Sequence, residues 1–142
     1  VQPPPYHVLI DRALRDEGTS YHYLPAADYS TADPALLDLA GAALTDMHPP
    51  VLRGATWTTD APFRETETAI RAARERDILA VEMEAAGLYA FAQATGAKVL
   101  CFAHVTNQMA QVEGDFEKGD GDGSTATLAL FERVVRAWSD AA

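Results

Sequence analysis

The chain has a single cysteine among its 142 residues, Cys101, so no internal disulfide can form. Its place in the apolar run from Lys98 to Thr106 marks a buried structural thiol rather than a nucleophile. Basic residues are also scarce, with 11 Lys and Arg against 21 Asp and Glu, and the net charge is -10. Such a surface repels nucleic-acid backbones and anionic membranes, so neither is an expected partner. No apolar run approaches the about 20 residues of a membrane-spanning helix and no signal peptide is visible, which makes the cytoplasm the expected location. The histidines His7, His22, His48 and His104 lack metal-ligand spacing. Asp115, Glu117, Asp120 and Asp122 lack the order and closing Glu of a calcium loop, and the segment 108–123 reads as a solvated, mobile acidic loop. No metal and no cofactor is expected, and no internal repeat is present.

What is present is enough apolar sequence, 48% of residues, for one compact domain over residues 1–142. Tyr6 to Ala13 alternates as a strand, ended by Gly18-Thr19-Ser20, and a loop with aromatics continues to Ser30. Asp33-Pro34 is a cap followed by an N1 proline. Leu36, Leu37, Leu39, Ala40, Ala43 and Leu44 then form an amphipathic stripe ending near Met47, closed by Pro49-Pro50. Val51 to Thr58 reads as a strand, and Thr66 to Arg76 as a charged helix with Ile70 and Ala73 inward. The last helix, Ser124 to Ala137, is expected to turn Leu128, Phe131 and Val135 to the core. Alternating strands and helices predict an α/β/α sandwich on a mixed or largely parallel sheet.

The densest signal is Val81-Glu82-Met83-Glu84-Ala85-Ala86-Gly87. It comes after the apolar run Ile78-Leu79-Ala80-Val81 and opens an Ala-rich helix, to Thr95, with Leu88, Phe91 and Ala92 at helical spacing. Gly96 suits a helix C-terminal cap, and Lys98 to Thr106 is a further strand. A strand-helix-strand crossover makes its two strands parallel. If they are neighbours, their ends lie roughly 5 Å apart, which would bring Glu84 and Asn107 to one rim, where open α/β sheets bind ligands.

At these residues the chain resembles the purine nucleoside phosphorylase and uridine phosphorylase superfamily, which includes hydrolytic nucleosidases. Val81 to Ala86 is similar to the strand end that supplies the family's ribose contacts. Thr56-Trp57-Thr58-Thr59-Asp60-Ala61-Pro62-Phe63-Arg64-Glu65-Thr66 resembles a stretch near the nucleobase in one uridine-phosphorylase-like branch. Arg15-Asp16-Glu17-Gly18-Thr19-Ser20-Tyr21-His22-Tyr23 resembles a preceding stretch of that branch. The likeness runs from about Leu9 to Trp138 and corresponds to the C-terminal half of a family domain. The resemblance implies a partial nucleoside-phosphorylase-like fold, a nucleoside as ligand and, if the reaction is phosphorolytic, phosphate as co-substrate.

Cleaving an N-glycosidic bond builds positive charge on the ribose ring and negative charge on the leaving base. A carboxylate at the ribose accepts hydrogen bonds from the 2′- and 3′-hydroxyls and opposes the ring charge, and the resemblance gives that role to Glu84. Taken alone, a Glu there also suits the positive end of a helix. Met83 would form an apolar floor under the sugar, with a core methionine as the alternative. Glu82, in a buried strand, requires either a partner or a ligand. Phe63 is the residue to stack on the base, with Tyr21 and Tyr23 behind it. Arg64 would contact substrate or pair with Glu65 or Glu67. Where hexameric purine phosphorylases and nucleosidases carry a proton-donating Asp, this chain has Asn107, which can hydrogen-bond a base but cannot protonate it. The loss of a general acid typically costs about 10²–10⁴ in rate.

The family's phosphate-binding glycine loop and phosphate-contacting arginines lie in its N-terminal half, and nothing in this chain stands in for them. A truncated product, a proteolytic piece and one chain of a two-part enzyme are all consistent with a sequence opening Val1-Gln2-Pro3-Pro4-Pro5. Two functions are then open: a nucleoside phosphorylase or nucleosidase, active when complete, or a nucleoside-binding or structural remnant without turnover. Either predicts an oligomer or a complementary N-terminal chain, because a lone half leaves sheet edges and apolar surface uncovered.

Overall fold

The computed structural model of the chain describes residues 3–107 and 120–141. The acidic segment at 108–119 lies outside the described residues, as do the side chains of Asp120 and Asp122. The framework is a mixed five-stranded sheet. β1 (Tyr6–Asp16) is its central strand, with β2 (Tyr29–Thr31) antiparallel, β3 (Leu52–Thr59) parallel and β5 (Phe102–Val105) antiparallel to it. β4 (Ile78–Glu82) continues the sheet parallel to β3. The helices are α1 (Pro34–Ala43), α2 (Glu67–Glu75), α3 (Ala85–Thr95) and α4 (Ser124–Ala141).

β1 is apolar on both sides of its pleat because both sides are covered: Val8, Leu9 and Ile10 are all buried. Thr58 and Trp57 point to opposite faces of β3 by strand alternation. Thr58 meets the first turn of α3, and Trp57 shares a cavity wall with Ile70 and Ala73 of α2, so helices lie on both faces. The caps read from the sequence, Asp33 and Gly96, are in place, and Thr66, read there as the first helical residue, is the N-cap of α2. The Asp33 carboxylate accepts from the amide of Ala35 at 2.8 Å, Thr66 Oγ1 accepts from Ala69, and Gly96 closes α3 at φ 75°.

Three expectations are corrected. The stretch to Ser30 is not all loop, since it contains a 3-10 turn at Thr19–His22 and the start of β2. In α4 the buried residues are Leu130 and Val134, whereas Leu128 is 67% exposed, and Phe131 and Val135 are exposed as well. α3 likewise buries Ala85, Ala86, Tyr89 and Ala90 and leaves Leu88 and Phe91 exposed. Both helices carry two apolar stripes at helical spacing, and contacts made elsewhere select between them. In α4 one such contact is Thr127 Oγ1 to His7 Nε2 at 2.9 Å. In α3 the Tyr89 hydroxyl donates to the Ile10 carbonyl at 2.6 Å and accepts from the Cys101 amide at 3.0 Å.

The third correction concerns β5. It is not a parallel neighbour of β4; it lies antiparallel along the first residues of β1, with Val105 opposite Tyr6 and Phe102 opposite Leu9. After Gly96 the chain runs back beside β1, and the Ile10 amide donates to the Cys101 carbonyl at 3.1 Å. Apolar runs encode strand burial but not strand direction, and the buried Val8-Leu9-Ile10 segment is the partner that captures Phe102 and Ala103. Among the described residues no helix is long and apolar enough to cross a membrane.

Candidate functional site

The three parallel strands end in register, with Arg15 beside Thr58 and Thr58 beside Glu82. The connections leaving these strands therefore gather at one rim. β1 leads to the 3-10 turn Thr19–His22, β3 to the 3-10 turn Pro62–Arg64, and β4 through Met83 and Glu84 into α3. Three of the residues singled out in the sequence, Phe63, Met83 and Glu84, stand on these connections. Phe63 is 85% and Met83 49% exposed, and Tyr21 beside them is 48% exposed, so among the described residues the rim carries uncovered apolar surface.

The two glutamates of the heptapeptide have opposite surroundings. The Glu82 carboxylate is filled by protein donors. Thr56 Oγ1 and Thr58 Oγ1 donate to Oε1 at 3.0 and 2.5 Å, and the amides of Glu84 and Ala85 donate to Oε2 at 2.8 and 2.6 Å. Thr58 Oγ1 in turn accepts from the Ala86 amide at 3.0 Å. One carboxylate and one hydroxyl thus satisfy three amides that the start of α3 would otherwise leave without partners. The sequence demanded a partner or a ligand for Glu82, and the structure provides the partners, so its acceptor positions are not open to a substrate.

Glu84 occupies the N-cap position of α3, yet its side chain caps nothing. Its carboxylate is exposed and, among the described residues, receives only a long 3.4 Å contact from the Met83 amide. An exposed carboxylate at the positive end of a helix, with Met83 and Phe63 nearby on the same rim, can accept hydrogen bonds from a diol and oppose positive charge on a bound molecule.

The loop after β1 is tied to the same rim. Arg15, 5% exposed, donates from Nε to Ser20 Oγ at 2.7 Å, from Nη1 to the Pro25 carbonyl at 2.7 Å and from Nη2 to the Leu24 carbonyl at 3.2 Å. Its guanidinium also sits 4.2 Å from the Tyr21 ring centroid. The turn so held packs on α3 closely enough that a Cβ at Gly87 would come within 3.2 Å of Thr19 Cγ2. Trp57 Nε1 donates to Asp16 at 2.9 Å, and the Gly18 amide to Asp60 at 3.1 Å. Thr56, Thr58 and Arg15 were not singled out from the sequence for these roles. The available signal was hydroxyls at every second position of a buried strand, where each must find a partner.

Asn107 is elsewhere. Because Val105 lies opposite Tyr6, Asn107 passes the end at which β1 begins, while Glu84 lies past the end at which β1 finishes, so the two do not share a rim. Asn107 instead lines a 610 Å³ groove under α2 with Tyr6, Glu65, Arg74 and His104, over apolar walls that include Leu79 and Val81. Burial raises the Glu65 carboxyl and the Tyr6 hydroxyl above their ordinary pKa values. His104 stacks on His7 at 4.7 Å between ring centroids, and burial together with the His104 ring holds His7 below the usual histidine pKa. At the other end of β5, burial pushes the Cys101 thiol up to about 12, with Tyr89 as hydrogen-bond partner. It is an inert structural thiol at neutral pH.

A family model described as the phosphorylase superfamily matches residues 3–140. Among solved structures, the AMP nucleosidase from Bacteroides thetaiotaomicron VPI-5482 has the same fold, with a TM-score of 0.77 at 20% identity. That match covers 97% of this chain and 57% of the nucleosidase chain, so the chain spans little more than half the length of the protein it resembles. No curated protein matches the sequence.

Proposed function

The chain belongs to the phosphorylase superfamily, and from that premise we propose that its C-terminal rim binds the ribose of a ribonucleoside through Glu84, serving cleavage of the N-glycosidic bond, by phosphorolysis or hydrolysis, in a complete site. The observation that carries this reading is the contrast within the heptapeptide. Glu82 is saturated by protein donors, whereas Glu84, two residues on, leaves its carboxylate exposed at the rim. Each charge-assisted bond from a sugar hydroxyl contributes about 1.5–3 kcal/mol. Met83 would floor the sugar, and Phe63 would close on the base. The ligand is a small-molecule nucleoside, with phosphate as co-substrate in the phosphorolytic case, acting in a cytoplasmic homo-oligomer or with a complementary N-terminal chain.

A second reading, binding without turnover, is favoured by the position of Asn107, which leaves the rim without that residue as a contact for the leaving base. The test of ribose recognition is calorimetry on wild type and Glu84→Gln with uridine and inosine and their 2′-deoxy forms. Glu84→Gln is expected to weaken the ribonucleosides about tenfold or more and the deoxynucleosides less. Equal losses for both sugars would exclude a 2′-hydroxyl contact, and no loss for either would leave Glu84 as a helix-start carboxylate only.

A further inference from the structure

Resting on that reading of Glu84, we infer that Glu82 is a positioning residue whose task is to keep the Glu84 carboxylate out of the helix and available to a ligand. A Glu at an N-cap competes for the free amides of the first turn, because its side chain can reach back or forward to them. Here those amides are already taken. Glu82 Oε2 accepts from Glu84 and Ala85, and Thr58 Oγ1 accepts from Ala86. Glu82 can do this because its other oxygen is pinned to the sheet by Thr56 and Thr58, so the carboxylate acts as a bracket between β3 and the α3 start. Ser30 Oγ adds a further tie, donating to the Ala86 carbonyl at 2.8 Å.

If Glu82 lost its acceptors, the amides of Glu84 and Ala85 would seek another carboxylate. The nearest in sequence is Glu84 itself, whose Oε2 already lies 3.4 Å from the Met83 amide. Turning inward, Glu84 would cap its own helix and stop facing a ligand. The fold would persist, because α3 is anchored independently by Tyr89 on Ile10 and by its buried alanines.

A double-mutant cycle distinguishes this from a merely structural role. Binding of uridine and inosine is measured by calorimetry for wild type, Glu82→Leu, Glu84→Gln and the double variant, with folding checked by urea denaturation. Glu82→Leu is expected to weaken binding about tenfold in the wild-type background and by less than about twofold in the Glu84→Gln background. Glu82→Gln, which keeps an oxygen for the two amides, should recover most of the affinity. Equal losses in both backgrounds, or no loss in the first, overturn the inference. Should Glu82→Leu not fold, Thr58→Val takes its place in the cycle with the same expectation. If wild type binds neither nucleoside, or Glu84→Gln costs nothing, the ribose reading itself fails and the inference falls with it. A costly Glu84→Gln beside an additive Glu82→Leu sinks only the positioning role.

Discussion

The C-terminal rim and the groove under α2 are both rich in polar side chains, yet they treat them in opposite ways. At the rim, Glu82, Thr56 and Thr58 are bonded to one another and to backbone, Arg15 is held by Ser20 and two carbonyls, Asp16 accepts from the Trp57 indole, and the Glu84 carboxylate is left exposed. In the groove, Tyr6, Glu65, Arg74 and His104 converge on a cavity without a hydrogen bond or ion pair to one another. A saturated network fixes geometry and spends its polar groups doing so. The difference teaches where in this chain polar geometry is fixed by mutual bonding: the network that holds Glu82 also sets the backbone from which the exposed Glu84 carboxylate projects.

The sharpest way to break this comparison is to make the same substitution on both sides. Arg15→Met deletes three hydrogen bonds of a buried cation and is expected to destabilise the fold by about 3 kcal/mol, read as a lower urea midpoint. Arg74→Met removes an exposed guanidinium in the groove and should stay within about 0.5 kcal/mol of wild type. Comparable losses at the two sites would erase the distinction. Next in size is Tyr89→Phe, which removes the hydroxyl joining α3 to β1 and to the start of β5. A loss of about 1–3 kcal/mol is expected, with faster amide exchange at Cys101.

The smallest effect belongs to the groove side and depends on pH. His7 is held below the ordinary histidine value, so the unfolded chain binds its proton more readily. Stability is therefore unaffected above about pH 6.5. It falls as pH drops through the unfolded value and levels off below the lowered folded one. His104 and Thr127 are the groups facing the ring. Urea midpoints at pH 8 and pH 5 should differ less in His7→Gln than in wild type, and an unchanged difference would remove His7 from the account.

Much of this molecule was legible in its sequence because local chemistry decides it. Asp33-Pro34 and Thr66 start helices by satisfying amides, and Gly96 ends one because φ 75° suits glycine. The rim was legible in part, since Met83, Glu84 and Phe63 come after strands whose C-terminal ends coincide. The direction of β5 was not, because period-two alternation is the same read either way, and with it went the expected meeting of Glu84 and Asn107. Nor was the facing of α4, where Leu128, Phe131, Val135 and Trp138 repeat at the same spacing as Thr127, Leu130 and Val134. Only the partners across the interface distinguish such stripes. Glu82 announced itself as a buried charge in need of company, but the company, Thr56 and Thr58, comes from another strand.

Trp57 touches both regions, for its indole N–H is bonded to Asp16 at the rim while its ring forms part of the groove wall. Optically, that makes it a sensor embedded at their junction. The chain has one other tryptophan, Trp138, which is 39% exposed on α4. Replacing it by phenylalanine would leave a single tryptophan, 5% exposed and excited selectively beyond the tyrosine band, whose emission wavelength and quenching track events on either side of the sheet. Loosening of the rim would register as a changed environment at the indole nitrogen, and filling of the groove as a changed polarity against the ring, so one spectrum can monitor both halves of the comparison in the same sample.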